Sequence, residues 1–168
     1  MMRSLFVLFL LTVTSFAGCV TTYNVVESAP DYITADSLHN SVHVVSATPI
    51  LHPGKSLSYG GYLFINEQYQ GWHIVDNTTP SSPRNIAFIT APGSLDASIS
   101  QNALFIENSI DLVVMNIENP SQPVLARRLQ SVLPVPVSPR NPAGYYPDAP
   151  VIDWHDTVVV VINGGSFA

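Results

Sequence analysis

From residue 51 onward, apolar residues arrive in short runs separated by polar turns, and the runs repeat. Leu63-Phe64-Ile65 returns as Leu104-Phe105-Ile106 at a spacing of 41. Trp72-His73-Ile74-Val75 returns as Leu112-Val113-Val114-Met115, and Pro80-Ser81-Ser82-Pro83 returns as Pro120-Ser121-Gln122-Pro123, both at a spacing of 40. Each proline pair is followed by another apolar stretch, residues 86–89 and then 124–126. The runs are too short for helices and rich in β-branched residues, so they predict strands. Asp76 and Asn116 stand at strand ends, where a short side chain accepts from the next backbone amides and starts a turn. The prolines bar both a helix and a central-strand ladder, so each Pro-x-x-Pro predicts a loop. Residues 95–99 supply a fourth strand for the second unit. Four strands in about forty residues is the size of one propeller blade.

A third unit starts near the end. Val151-Ile152-Asp153 and the run 157–162 predict two strands, with Asp153-Trp154-His155-Asp156 as the hairpin turn between them. Residues 134–150 carry six prolines and the pair Tyr145-Tyr146, which predicts an inserted surface loop. The expected fold class is all-β, with propeller-like blades of about forty residues that form an incomplete propeller. Closure takes four to eight blades, roughly 165 to 330 residues at this repeat length. Open strand edges in such an array invite self-association.

The beginning of the chain reads as an address. Arg3 precedes an apolar run over residues 5–13, which is short of the roughly 20 residues a bilayer span needs. Ala17 and Gly18 are small and stand before Cys19, the only cysteine, in the manner of a signal-peptidase site. Phe16-Ala17-Gly18-Cys19 resembles the lipobox of bacterial lipoproteins, with Phe16 where that pattern prefers Leu. The resemblance implies a signal peptide over residues 1–18 and acylation of the Cys19 thiol, with attachment to the cell envelope at the outer membrane or cell surface. Acyl chains in pairs hold a protein on a bilayer without a transmembrane helix. Residues 19–50 then serve as a tether with a candidate first strand at residues 23–26, and residues 51–168 form the repeat region.

Composition narrows the partners. Six Lys+Arg face twelve Asp+Glu, which excludes the basic stripe of a nucleic-acid binder. Hydrophobic residues make up 46%, too many for a solvated disordered chain. Phosphate loops, dinucleotide glycine fingerprints, nucleophile elbows and zinc-protease helices are missing from the sequence, so no cofactor and no catalytic residue is expected. His39 and His43 lack the third and fourth ligands of a metal site. Asp153 and His155 share a face if extended, which makes them candidates for binding or for proton transfer. Tyr145 and Tyr146 are candidates for an exposed recognition surface, while Tyr59, Tyr62, Tyr69 and Trp72 fit a core as well as a binding face. Arg127-Arg128 reads as a solvated strand end.

The strand Leu112-Val113-Val114-Met115-Asn116 with Asn119-Pro120-Ser121-Gln122-Pro123 resembles the LVIVD repeat, as does His73-Ile74-Val75-Asp76 with Pro80-Ser81-Ser82-Pro83. Met115, Asn116 and Trp72-His73 depart from the motif. The likeness covers residues 59–129, and 151–162 more loosely. It implies propeller blades in exported bacterial proteins and implies no activity. The expected function is a non-enzymatic, membrane-anchored module that binds an envelope protein or glycan. The rival is the leading part of a propeller hydrolase or lyase whose active site lies in further blades.

Overall fold

The computed structural model describes residues 21–138 and 149–163. Within them the chain is a succession of strands with one short helix: β1 (Thr21–Tyr32), α1 (Ala35–His39), β2 (Val44–Ser46), β3 (Pro53–Tyr59), β4 (Tyr62–Glu67), β5 (Gly71–Asp76), β6 (Arg84–Thr90), β7 (Ala97–Ser100), β8 (Ala103–Asn108), β9 (Asp111–Asn116), β10 (Val124–Leu129) and β11 (Val151–Asn163). Two sheets hold the repeats, one in the order β2-β6-β5-β4-β3 and the other β10-β9-β8-β7; β1 and β11 pair as a third sheet of two strands. Contacts divide the described residues into a small unit, residues 21–26 with 158–163, and a large unit that takes the described residues between 27 and 157. The small unit holds the start of β1 and the end of β11; both blade sheets lie in the large one. No helix among the described residues is long and apolar enough to cross a membrane.

The repeats agree in register, strand for strand. Leu57 faces Phe64 as Ser98 faces Phe105, and Phe64 faces Ile74 as Phe105 faces Val114. The fourth strand slips by one residue at the same place in both, between Asn85 and Ala87 in β6 and between Leu125 and Arg127 in β10. Such a bulge bends the strand and sharpens its twist. The turn after the third strand is also shared: Asp76 Oδ1 accepts from the Thr78 amide at 3.0 Å, and Asn116 Oδ1 from the Glu118 amide at 2.8 Å.

Directly opposed residues share a face of their sheet, so the registers sort every side chain. One face of the first sheet carries Phe64, Trp72, Ile74, Ala87 and Ile89. One face of the second carries Ala97, Leu104, Ile106, Val113 and Met115. These form a single buried cluster, so the sheets pack face to face. They do not use equivalent faces. Phe64 is wholly buried while its repeat equivalent Phe105 is half-buried, and Leu104 and Ile106 are wholly buried while Leu63 and Ile65 are half-buried. The two first strands, β3 and β7, lie against each other. Lys55 ties them, with its ammonium 2.6 Å from Asp96 Oδ1 and 2.9 Å from the Ala97 carbonyl.

Four expectations are corrected. Residues 153–156 are no hairpin turn, because β11 runs unbroken from Val151 to Asn163. The polar side chains find partners without bending the strand: Asp153 accepts from the Trp154 amide at 2.7 Å, and His155 lies 3.5 Å from Asp31 of β1. Arg128 is no solvated strand end. The bulge at Ala126 turns it inward, and its guanidinium sits 2.8 Å from Asp111 and 2.7 Å from Asn108 Oδ1, while Arg127 is exposed. The strand expected over residues 95–99 covers Ala97–Ser100 and stands first in its unit, as β7, with Leu95 an exposed residue before it. Residues 21–32, at the head of the expected tether, form strand β1 throughout, well beyond the 23–26 piece.

Candidate functional site

The connection between the sheets, residues 91–96, is gripped from both sides. The β4–β5 turn meets it as a short ladder: Tyr69 donates its amide to Ser94 O at 3.0 Å, Gly93 donates to Tyr69 O at 2.8 Å, and Ala91 donates to Gln70 O at 2.8 Å. Trp72 Nε1 donates to Ser94 Oγ at 2.8 Å, and Asn66 Nδ2 to Ser94 O at 3.2 Å. From the second sheet Asn108 Nδ2 donates to Pro92 O at 2.7 Å. Gly93 is required here. Its φ is +79°, and a Cβ would lie 3.0 Å from the Ser109 side chain and 3.1 Å from the Val151 carbonyl. A side chain is disfavoured at that φ whatever the space.

Over this junction opens a cleft of about 320 Å³. Its walls include Tyr69 from the β4–β5 turn, Glu107 from the end of β8, Ser109 from the β8–β9 turn and Trp154 from β11, and residues 133–137 complete it. Tyr69 and Ser109 both have left-handed backbones, with φ of 62° and 57°. Non-glycine residues held there carry strain, which clusters at functional positions. The Ser109 hydroxyl is buried and has no hydrogen-bond partner among the described residues. An unpaired buried hydroxyl is costly unless a ligand or water completes it. Burial, helped by the nearby Asp96 charge, raises the Glu107 carboxyl above its ordinary range. Burial, helped by Asp153, likewise raises the Tyr69 phenol. The cleft therefore offers a carboxyl, two hydroxyls and an aromatic wall.

A second polar cluster lies on the outer face of the first sheet. Glu67 and His73 are buried, with His73 Nε2 at 3.1 Å from Glu67 Oε2. Asn85 Nδ2 donates to Thr48 O at 2.8 Å, which fixes its amide, and the same nitrogen lies 3.4 Å from His73 Nδ1. That leaves Nδ1 as acceptor and Nε2 as the donor toward Glu67. Burial pushes the Glu67 carboxyl up, but the Leu51 and His52 amides together with His73 outweigh it and hold it below its ordinary value. The cluster fastens residues 48–52 as a strap across the sheet, from β6 at Thr48 to β4 at Glu67. Closed off in this way, the pair has structural work.

The LVIVD repeat family matches the chain at residues 57–88 and 94–130, one stretch in each sheet. The chain carries two LVIVD repeats. Its all-β, propeller-like architecture agrees with them. The loosely similar stretch 151–162 lies outside the matched residues. No curated protein and no solved structure is significantly similar to the chain.

The LVIVD repeats bring together residues that their sequence motif does not mark. Of the sequence candidates, Asp153 stands close enough to the cleft for its charge to act on Tyr69, whereas His155 pairs with Asp31. Cys19, Tyr145 and Tyr146 lie outside the described residues. Tyr59 and Tyr62 pack against the core, and Trp72 is wholly buried. His39 lies 3.5 Å from Asp111, and His43 Nε2 lies 2.8 Å from Asn40 O. Glu107, Ser109 and Trp154 went unmarked as site residues, and Tyr69 was one aromatic among several. The available signal was that the two turns 68–70 and 109–110 differ in length between otherwise matched repeats.

Proposed function

We propose that this LVIVD repeat protein is a non-enzymatic binding module of the bacterial cell envelope, held to a membrane by lipid on Cys19, with the cleft between the repeats as its binding site for an envelope protein or glycan. The observation that carries the binding reading is the cleft itself, with the Ser109 hydroxyl buried and unpaired in its wall. Aromatic and apolar walls with a few polar groups are the usual make-up of a ligand site. The anchor reading rests on Phe16-Ala17-Gly18-Cys19 and the apolar run before it.

The test has two arms. Cells fed an alkyne-bearing fatty acid should label the wild-type chain and leave Cys19→Ser unlabelled; label on neither would remove the anchor. Immobilised full-length chain should retain an envelope protein or glycan that Trp154→Ala releases. Equal retention by both would place binding elsewhere, and retention of nothing would end the binding reading.

A further inference from the structure

The cleft carries charge of one sign. Glu107 is half-buried in its wall, the Asp153 charge reaches the Tyr69 hydroxyl, and none of the described lining residues is Lys, Arg or His. Lys55 acts on Glu107 from outside the cleft, but its ammonium is committed to Asp96 at 2.6 Å and to the Ala97 carbonyl at 2.9 Å. At Glu107 the Asp96 charge outweighs that of Lys55, so among the described residues the carboxyl has no cation committed to it. Removing a carboxylate from water is expensive unless an opposite charge accompanies it.

Two aromatic residues, Tyr69 and Trp154, line the same cleft as Glu107. An aromatic face attracts an ammonium group through its quadrupole, most strongly where water is excluded. The remaining wall is largely apolar, with Leu95, Leu133 and Val135 among its members, and suits methyl or methylene groups around a cation. Ser109, 4% exposed and unpaired, can hydrogen-bond to a polar group beside that charge. An anion would meet Glu107 and the field of Asp153, and a neutral ligand would leave Glu107 uncompensated.

We propose that the cleft binds an organic ammonium cation, primary or quaternary, with Glu107 as its counter-charge and Tyr69 and Trp154 as its aromatic walls. This rests on the reading of the cleft as the binding site. Two sources share that chemistry: a lysine side chain of an envelope protein, and a small or lipid-borne quaternary amine.

Calorimetric titration of the full chain tests it with three probes: choline, Nα-acetyl-lysine amide and the neutral carbon isostere of choline. Saturable binding of at least one cation is expected, with the isostere about tenfold weaker than choline. Glu107→Gln should bring choline down to the level of its isostere while the thermal midpoint is kept or raised. Asp153→Asn should weaken the cations by a smaller factor. Preference for the lysine amide points to a protein partner and preference for choline to the quaternary amine; either order supports the inference. Equal binding of choline and isostere, full choline affinity in Glu107→Gln, or no saturation by either cation overturns it. A retained envelope ligand that excess choline does not displace also overturns it, yet leaves the binding-module reading standing. Cation binding with no retained envelope ligand does the reverse.

Discussion

The two LVIVD repeats share a register but differ in what lies beyond them. On its outer face the first repeat presents His73, Val75 and Phe88, all buried, beneath a strap whose Leu51 and His52 amides end on the Glu67 carboxylate. On its outer face the second repeat presents Phe105, Leu112 and Val114, half-buried, with Val124 at 65% exposure. The positions that seal the first repeat are changed in the second: Glu67, His73 and Asn85 correspond to Asn108, Val113 and Leu125. A side chain's burial here is set by the neighbour its sheet meets, not by its place in the motif.

The sharpest way to break this contrast uses the adjacent arginines. Arg128 is 10% exposed and its partner Asp111 fully buried. Arg128→Met should cost roughly 3 to 5 kcal/mol, the cost of removing one partner of a buried ion pair, whereas exposed Arg127→Met should stay within about 0.5 kcal/mol. Urea unfolding separates them, and similar losses would mean that the bulge does not turn Arg128 inward.

Next in size is the strap. Glu67→Gln keeps an acceptor but loses the charge that both amides and His73 address, so it should cost roughly 1 to 3 kcal/mol. Hydrogen exchange should then quicken at the Leu51 and His52 amides. The same change in the second repeat's glutamate, Glu107→Gln, which stands one position earlier in the motif, should cost nothing. An unchanged exchange rate in Glu67→Gln would remove the strap from the account.

The smallest effect is in pH, and here the two glutamates have opposite signs. Glu67 is held below its ordinary value, so its contribution is complete above the unfolded pKa of about 4.5 and is lost as pH falls through the lowered folded value. Glu107 is held above its ordinary value, so it opposes folding increasingly as pH rises from about 4.5 through the raised value. Urea midpoints measured between acid and neutral pH should show a shallower acid loss in Glu67→Gln and less decline toward neutral pH in Glu107→Gln. Parallel profiles in the two variants would contradict both assignments.

Much of the architecture was legible in the residues. The recurrence of Leu-Phe-Ile and Pro-x-x-Pro marks the blades, and Asp76 and Asn116 mark the turns, because these are local preferences that need no neighbour. Which face of Leu-Phe-Ile is buried was not legible, since Phe64 and Phe105 read alike and differ only in what packs against them. The residues 153–156 misled for a related reason: Asp at a strand centre looks like a turn until β1 supplies a partner for His155. The cleft was hidden because Tyr69, Glu107 with Ser109, and Trp154 come from three separate segments that only tertiary packing brings together.

The central claim is that the repeats bury opposite faces of one motif. Alanine substitution at Leu63, Phe64, Leu104 and Phe105, followed by urea unfolding, tests it most directly. The account predicts large losses, roughly 3 to 5 kcal/mol for Phe64 and 2 to 5 for Leu104, with losses less than half as large at Leu63 and Phe105. Equal losses at the two phenylalanines, or a greater loss at Leu63 than at Leu104, would contradict it.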